Sequence, residues 1–303
     1  MPVCTIVVPA TTANLGPGFD CLGVALGLHN QFVFTVEPTT APPLTIIATG
    51  LESPKISNDP DNLLYQAFLK VYEHLNETPP ALKIEVKVAV PLARGLGSSA
   101  TAIVGGLLGA NVLAGSPLTV KELLDLAISL EGHPDNVAPA LLGGCQLAVP
   151  TPADWLITPI PWHPELKIVV AIPNFELSTE KARSVLPTSY SRQDAIFNAA
   201  HLGLLLQALQ QGRGDWLTIA MEDQIHQPYR QDLIPAYAQL KAAALGAGAF
   251  NLVISGAGPT LLAIASKNNA PGVATALQNT WQKEGMESST LILELDRQGA
   301  QIS

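Results

Sequence analysis

The sequence predicts an α+β protein with two domains. With 303 residues, the chain reaches the length at which a single hydrophobic core commonly divides into two. Both halves contain β-branched runs typical of strands and amphipathic segments typical of helices. A segment crowded with proline and tryptophan, residues 150–164, lies between the halves. We therefore expect an N-terminal domain over residues 1–155 and a C-terminal domain over residues 165–303.

The elements of the first half follow from local residue patterns. Four β-branched runs predict strands over residues 3–8, 31–36, 44–48 and 82–89. Asn62 precedes a segment whose apolar residues recur every three or four positions, which predicts a capped helix ending near Leu75. Further helices are predicted over residues 98–114 and 119–130 and after the turn at residues 132–134.

The second half begins with a predicted strand and then alternates between the two kinds of pattern. Strands are predicted over residues 166–172, 250–255, 260–265 and 290–295. Helices are predicted over residues 191–211, 215–224, 233–245 and 272–283. No fixed-period repeat or low-complexity tract interrupts this order.

The composition excludes several classes of protein. Hydrophobic residues make up 48% and charged residues 14%, which is too apolar for a disordered chain. A net charge of -9 argues against a nucleic-acid binder, because such affinity depends on lysine and arginine. Three scattered cysteines and an N-terminus without an export pattern predict a cytoplasmic protein. Uncharged stretches at residues 95–120 and 242–266 are broken by glycine and proline, so we predict no membrane span.

A glycine and serine loop follows the predicted strand over residues 82–89 and leads directly into a helix. Its glycines allow close backbone approach, and the helix start offers unpaired amide donors to an anion. The loop contains neither the glycine-lysine pair of the ordinary P-loop nor the Gly-x-Gly-x-x-Gly pattern. Taken alone, it predicts either a phosphate-binding loop or a tight turn with an N-capping serine.

Three stretches together resemble the motifs of the GHMP superfamily of small-molecule kinases, which includes galactokinases, homoserine kinases and mevalonate kinases. They are residues 9–20 (Pro-Ala-Thr-Thr-Ala-Asn-Leu-Gly-Pro-Gly-Phe-Asp), the loop at residues 91–101, and residues 254–260 (Ile-Ser-Gly-Ala-Gly-Pro-Thr). Their order is that of the superfamily, and they span most of the chain. Within the superfamily the sequence resembles the homoserine kinases most, through residues 131–139, 178–187 and 227–235.

This resemblance implies a fold, an activity and ligands. The expected fold joins an N-terminal domain like ribosomal protein S5 domain 2 to a ferredoxin-like C-terminal domain. The expected reaction transfers the γ-phosphate of ATP to the side-chain hydroxyl of L-homoserine, a step toward threonine, with Mg²⁺ as cofactor. The resemblance places adenine near Asn62 and Leu63, although Asn62 also suits a plain helix cap. It places the phosphates on Pro91, Leu92, Ala93, Arg94, Gly95, Leu96, Gly97, Ser98, Ser99, Ala100 and Thr101.

The same resemblance assigns residues to the amino-acid substrate. Arg183 and Arg230 match carboxylate-binding positions, and a guanidinium fork suits a carboxylate. Asp20 matches the partner of the substrate ammonium. The remaining candidates near the amino acid or its hydroxyl are Asn14, Asn136, His133, Thr179, Gly256 and Gly258. Alternatives remain for several of these: surface arginines, asparagines in Asx turns, a structural histidine, and a helix cap at Thr179.

Catalysis is assigned to Asn136, Glu131 and Ser98. Glu131 is the expected Mg²⁺ ligand, with Ser98 or Ser99 as its partner, because Mg²⁺ prefers oxygen ligands. In some homoserine kinases the corresponding glutamate lies farther from the His-x-Asp-Asn motif, which leaves Asp125 as an alternative. Phosphoryl transfer needs no strong base, so we expect none, although Asp135 is a candidate by analogy with relatives.

Other functions remain open at this stage. A sister kinase acting on mevalonate or a sugar would not need both an ammonium and a carboxylate partner. A non-catalytic metabolite sensor with this fold would lack magnesium-dependent ATP turnover. The expected partner is a small-molecule substrate rather than a nucleic acid or a membrane, and relatives suggest a homodimer.

Overall fold

The computed structural model describes residues 3–303, which form two β-sheets with their helices. The N-terminal part consists of β1 (Val3–Asn14), β2 (Gly18–Val36), β3 (Leu44–Gly50), α1 (Leu63–Leu75), β4 (Leu82–Val88), α2 (Ser98–Leu113), α3 (Val120–Glu131), α4 (Pro134–Leu142), β5 (Cys145–Pro150) and β6 (Trp155–Ile160). The C-terminal part consists of β7 (Leu166–Pro173), α5 (Thr179–Ser184), α6 (Arg192–Gln211), α7 (Gly214–Ala220), α8 (Gln227–Arg230), α9 (Tyr237–Gly246), β8 (Ala249–Ile254), β9 (Leu261–Ser266), α10 (Ala270–Lys283), β10 (Ser288–Leu293) and β11 (Gln301–Ile302).

The first sheet is organised around the 19-residue strand β2. This strand pairs with β1 along most of its length, with β4 through residues 31–36, and with β5 through residues 22–24. Strand β3 adds to β4 in parallel after the crossover through α1, whereas β6 adds to β5 in a hairpin. Helices α1 to α4 bury their apolar side chains against this sheet and form the N-terminal core.

The second sheet has the strand order β10-β7-β9-β8, with every neighbouring pair antiparallel. This is the order of a ferredoxin-like fold, because the two strands that come first and last in sequence lie side by side. Helices α9 and α10 cover one face of the sheet, where the fully buried Trp281 packs among aliphatic side chains. The predicted fold class is therefore confirmed.

A third apolar core joins the two parts of the molecule. It combines side chains of the first sheet, such as Leu22 and Leu26, with Ile168 on β7 and Leu209 on α6. All four residues are at most 1% exposed. Because both sheets contribute to this core, they are fixed next to each other, and the loops at their adjoining ends come close together. The exact division into domains at residues 155–165 stays a prediction.

Most predicted elements are confirmed, with several corrections. Strand β1 extends to Asn14 rather than Val8, α7 ends at Ala220 rather than at residue 224, and β6 lies in the segment expected to be irregular. Strand β6 was missed because it is an edge strand with proline at position 159 and no apolar alternation. The elements α5, α8, β5 and β11 were also missed, and β2 begins at Gly18 rather than at residue 31. No helix within residues 3–303 is long and apolar enough to span a bilayer.

Candidate active site

A cleft of about 280 Å³ opens where the ends of several elements meet. The β1–β2 turn, the glycine and serine loop before α2, the start of α4, helices α5 and α8, and the turn after β8 all contribute to it. Its lining comprises Asn14, Asp20, Ala93, Gly95, Gly97, Ser98, Ser99, Glu131, His133, Asp135, Asn136, Leu177, Ser178, Thr179, Arg183, Arg230, Gly256, Ala257 and Gly258. The structure thus brings together every residue that was assigned to the amino-acid substrate.

A second cavity of about 360 Å³ lies on the other side of the same loop. It is bounded by β2, β4 and the start of α1. Its lining is mostly apolar and comprises Asn30, Phe32, Lys55, Ile56, Ser57, Asp61, Asn62, Leu63, Leu64, Val86, Val88, Leu92, Ser98, Ser99, Thr101 and Ala102. Both cavities share Ser98 and Ser99, so a ligand in each could meet at these two serines.

The loop at residues 91–101 is fixed by bonds from both parts of the molecule. The Thr11 amide on β1 donates to the Leu96 carbonyl at 3.1 Å, and the Ser255 hydroxyl after β8 donates to the Gly95 carbonyl at 2.6 Å. Gly97 has a φ of 67°, and a Cβ there would lie 1.9 Å from the Thr11 hydroxyl, so only glycine fits. The first amides of the 16-residue helix α2 have no acceptor within the helix and are available to an anion.

The residues of this loop divide by the direction in which they face. Ala93, Gly95 and Gly97 line the cleft, whereas Leu92 and Thr101 line the second cavity. Leu96 and Ala100 are fully buried, and Pro91 contributes to neither of the two cavities.

The assignment of Arg94 to the phosphates is corrected by the structure. Its side chain lines neither cavity and is buried. Its Nε donates to the Pro173 carbonyl at 3.1 Å, Nη1 to the Leu92 carbonyl at 2.8 Å, and Nη2 to Glu52 at 3.3 Å. Arg94 therefore ties the loop to β7 instead of facing a ligand.

Glu131, at the end of α3, lies in the cleft beside the loop. Its Oε2 accepts a hydrogen bond of 2.7 Å from the hydroxyl of Ser99, rather than from Ser98. Burial raises the pKa of Glu131 despite this bond. The alternative carboxylate, Asp125, lies outside the cleft and pairs with Lys121 at 2.8 Å. Of these two carboxylates, Glu131 is therefore the one beside the glycine and serine loop.

Helix α4 begins with three polar residues that line the cleft. The His133 Nδ1 lies 2.5 Å from Oδ1 of the buried Asp135, and this hydrogen bond raises the pKa of His133. The hydroxyl of Thr11 donates to Asn136 Oδ1 at 2.9 Å, while Asn136 Nδ2 donates to Asp135 at 3.4 Å. Thr11 thus fixes the amide of Asn136, and one hydrogen of Nδ2 is left to contact a ligand.

Asp20 and Arg183 were predicted to bind opposite charges of the substrate, but here they bind each other. Two hydrogen bonds of 2.9 and 2.8 Å join the guanidinium to the carboxylate, and this pairing raises the pKa of Arg183. The Asp20 amide donates to Asn14 Oδ1 at 3.0 Å, and Asn14 Nδ2 donates to the Gly256 carbonyl at 2.8 Å. Asn14 therefore braces the β1–β2 turn and also lines the cleft.

Arg230, on α8, is only 2% exposed, which excludes the alternative of a solvated surface arginine. Its Nε donates to the Ala182 carbonyl at 3.0 Å and its Nη1 to the Gly256 carbonyl at 3.1 Å. Within residues 3–303, Nη2 has no hydrogen-bond partner. Burial and the nearby Arg183 lower the pKa of Arg230 to about 10, and it remains a cation at neutral pH.

Sequence reasoning missed the residues behind this arginine. Phe19 places its ring 5.1 Å from the Arg230 guanidinium carbon and 5.6 Å from that of Arg183. The imidazole of the fully buried His226 stacks on the same ring, and burial lowers its pKa to about 4. Phe19 lies within the motif at residues 9–20, and His226 directly precedes the segment at residues 227–235, but nothing in the sequence indicates that they meet.

Two other assignments have a structural role as well as a place in a cavity. Asn62 Oδ1 accepts from the Leu64 amide at 2.9 Å, which confirms the predicted helix cap, and Asn62 also lines the second cavity. The cap of α5 is Ser178 rather than Thr179, because the Ser178 hydroxyl accepts from the Lys181 amide at 3.1 Å. Thr179 is left to line the cleft.

The donor set near Glu131 fits a hard cation that takes its remaining ligands from water or phosphate. Within residues 3–303, no group of three or more His, Cys, Asp or Glu side chains is arranged to hold a metal ion. The Glu131 carboxylate and the hydroxyls of Ser98 and Ser99 supply oxygen ligands beside the loop. An ion bound there would need further oxygens from water or from bound phosphates, which is the usual situation for Mg²⁺.

Comparisons with known proteins identify the family. The family models of the GHMP kinases N terminal domain and the GHMP kinases C terminal region match residues 62–144 and 205–283. A homoserine kinase from Synechocystis sp. is 59% identical over 299 residues, 99% of this chain and 98% of that protein. The homoserine kinase from Trichodesmium erythraeum is 56% identical with the same coverage.

Solved structures of GHMP kinases have the same fold as this chain. The crystal structure of homoserine kinase from Cytophaga hutchinsonii matches with a TM-score of 0.89 at 28% identity, over 100% of this chain and 98% of that one. The L. major mevalonate kinase in complex with R-mevalonate matches with a TM-score of 0.72 at 17% identity, over 94% of each chain, and shares the fold.

Replacing Gly97 by alanine should destabilise the loop. The left-handed backbone and the contact with Thr11 together should lower the free energy of unfolding by roughly 2–4 kcal/mol, measured by urea denaturation. Gly115→Ala is the matched control, because Gly115 also has a positive φ but no neighbour within 4 Å. That variant should lose only about 1 kcal/mol. Equal losses would contradict the importance of the Thr11 contact.

Proposed function

Because this chain belongs to the GHMP kinase family, and within it to the homoserine kinases, we propose that it transfers the ATP γ-phosphate to the side-chain hydroxyl of L-homoserine. The product, O-phospho-L-homoserine, would feed threonine biosynthesis. One observation carries the proposal: Ser98 and Ser99 lie between an apolar cavity and a cleft that contains both a carboxylate and two guanidinium groups. The apolar cavity suits a nucleoside, and the cleft suits a zwitterionic amino acid.

In the cleft, the substrate carboxylate would bind Arg230 and Arg183, and its ammonium would bind Asp20. The free Nη2 of Arg230 supports this arrangement, since a guanidinium donor that opens into the cleft can bind a carboxylate there. The bidentate pair between Asp20 and Arg183 would open as the ligand enters. Asp20 would then bind the substrate ammonium in place of Arg183, and Arg183 would bind the substrate carboxylate in place of Asp20. Both side chains of this pair are about one-third exposed, so opening it costs less than breaking a buried ion pair.

On the nucleotide side, adenine would occupy the apolar cavity near Asn62 and Leu63. The phosphates would then extend to the start of α2, where the amides and the positive end of the helix dipole favour negative charge. No lysine or arginine side chain projects from the loop into the cleft, because Arg94 is engaged elsewhere. The loop would therefore hold phosphate mainly through backbone donors and the two serine hydroxyls.

The residues near the loop fit Mg²⁺, with Glu131 and a serine hydroxyl holding it next to the phosphates. Bound there, Mg²⁺ would neutralise charge on the phosphate oxygens during transfer. Ser99 already donates to Glu131, so both side chains are preorganised. Burial raises the pKa of Glu131, and a cation bound beside it would favour the ionised carboxylate.

The chemistry would depend on positioning rather than on a strong base. Asn136, whose oxygen is occupied by Thr11, would donate through Nδ2 to the substrate hydroxyl and orient it toward the phosphorus. Phosphoryl transfer proceeds through a loose transition state, so alignment and charge stabilisation supply most of the rate enhancement. The hydroxyl proton would leave late and pass to the transferred phosphate. A cytoplasmic location and a homodimer stay predictions.

An ADP-release assay tests the proposed function. The purified protein with ATP and Mg²⁺ should turn over L-homoserine in clear preference to L-serine, mevalonate and galactose. Mevalonate lacks an ammonium and galactose lacks both charges, so neither can satisfy Asp20 and the two arginines. Preference for another alcohol would overturn the substrate assignment, and no turnover with any substrate would favour a sensor.

Arg230→Ala should raise the KM for L-homoserine by roughly 10- to 100-fold, because it removes a charge-assisted carboxylate contact. The KM for ATP should change by less than about threefold, since Arg230 lies outside the nucleotide cavity. Arg213→Ala is a matched control, because Arg213 pairs with the exposed Asp215. Equal effects of Arg230→Ala on both KM values would argue against the carboxylate contact.

Glu131→Gln should raise the Mg²⁺ concentration needed for half-maximal activity by roughly tenfold or more, because an amide is a weaker ligand than a carboxylate. Asp125→Asn serves as the control and should leave this concentration nearly unchanged. A Mg²⁺ titration of initial rates measures both variants. If Asp125→Asn raises this Mg²⁺ concentration more than Glu131→Gln does, the metal ligand is Asp125 on the outer face of α3.

Asp135→Asn distinguishes the base-free mechanism from general base catalysis. We expect kcat to fall by less than about 10³-fold, because Asp135 would act on His133 and Asn136 and not on the substrate proton. Single-turnover rates measure the chemical step directly. A larger loss at unchanged KM would identify Asp135 as the base.

A further inference from the structure

His226 contacts the arginine assigned to the substrate carboxylate, although it lines neither cavity. We propose that His226 is a positioning residue, which orients the Arg230 guanidinium for the carboxylate by accepting a hydrogen bond at Nδ1. The inference rests on the proposed function, because it concerns how the amino-acid cleft binds its ligand.

The hydrogen bonds of the imidazole define its tautomer. His226 Nε2 lies 2.9 Å from the carbonyl oxygen of Gly16, which can only accept, so Nε2 carries the proton. A neutral ring then has a lone pair at Nδ1. Arg230 Nη1 lies 3.4 Å from this atom and is the donor. One imidazole thus connects the β1–β2 turn to the arginine on α8.

The ring has little freedom to leave this position. It is fully buried and stacks on Phe19 with a centroid distance of 5.1 Å and an interplanar angle of 24°. The backbone behind it is fixed by the buried Asp223, whose Oδ2 accepts from the amides of His226 and Gln227 at 2.8 and 2.7 Å. Asp223 itself is held by the Asn198 amide at 2.7 Å.

The contact matters because of how the donors of Arg230 are distributed. Nε is used by the Ala182 carbonyl, and the two hydrogens of Nη1 are used by the Gly256 carbonyl and His226. These three acceptors fix the guanidinium plane and leave Nη2 as the group that faces a ligand. Without the Nδ1 acceptor, one buried N–H would be unsatisfied, and the guanidinium would rotate to find a partner.

Two substitutions separate the two bonds of the imidazole. His226→Asn places an amide oxygen near the Nδ1 position and keeps an acceptor for Arg230. His226→Gln places its amide near the Nε2 position and keeps only the bond to Gly16. We expect His226→Gln to raise the KM for L-homoserine by roughly tenfold, with the KM for ATP unchanged, and His226→Asn to restore most of the difference. His74→Gln, an exposed histidine on α1, is the control.

Equal increases in both variants, or no increase in either, would overturn the proposal. If the wild-type protein turns over L-homoserine and the His226→Gln variant has the same KM, the inference is refuted and the proposed function stands. A wild-type protein inactive with L-homoserine would instead refute the proposed function.

Nitrogen NMR tests the proposal on the wild-type protein alone, so it does not depend on whether a variant folds. With ¹⁵N-labelled histidine, His226 should appear as a neutral ring protonated at Nε2. Adding L-homoserine should shift its Nδ1 resonance, and adding a non-hydrolysable ATP analogue alone should not. An Nδ1-protonated ring, or an Nδ1 signal insensitive to L-homoserine, would contradict the proposal.

Discussion

The site depends on how the glycine and serine loop is held between the two sheets. A β1 amide binds the Leu96 carbonyl and the Ser255 hydroxyl binds the Gly95 carbonyl, so each part of the molecule supplies one bond to the same short segment. The apolar core shared by the two sheets keeps these bonds in register. As a result, the start of α2 and its two serines lie between an apolar cavity and a charged cleft.

The second constraint is charge balance inside the cleft. Arg183 is paired with Asp20, whereas the more deeply buried Arg230 is surrounded by carbonyls, an aromatic face and a neutral imidazole. A cation in such surroundings is costly unless an anion completes its coordination. The proposed substrate would bring a negative charge to Arg230 and a positive charge to Asp20. The net charge of -9 of the whole chain gives no indication of this local arrangement.

Local signals in the sequence predicted much of the fold. The helix capped by Asn62 follows from neighbouring residues, and so does the strand, loop and helix order around Ser98. Motif resemblance singled out residues that the structure places in one cleft. The contacts between them were not predictable, because they join positions far apart in the chain: Arg183 and Asp20 are 163 positions apart. Arg94 was wrongly assigned to the phosphates, because its position in the loop does not determine the direction of its side chain.

A crystal structure with L-homoserine and a non-hydrolysable ATP analogue tests the central claim most directly. The account predicts adenine in the cavity beside Asn62, the γ-phosphate at Ser98 and Ser99, and the amino-acid carboxylate on Arg183 and Arg230. The bond between Asp20 and Arg183 should be broken, with the substrate ammonium on Asp20 and its hydroxyl facing the γ-phosphorus. An amino acid bound elsewhere, or bound with the Asp20–Arg183 pair intact, would contradict the account.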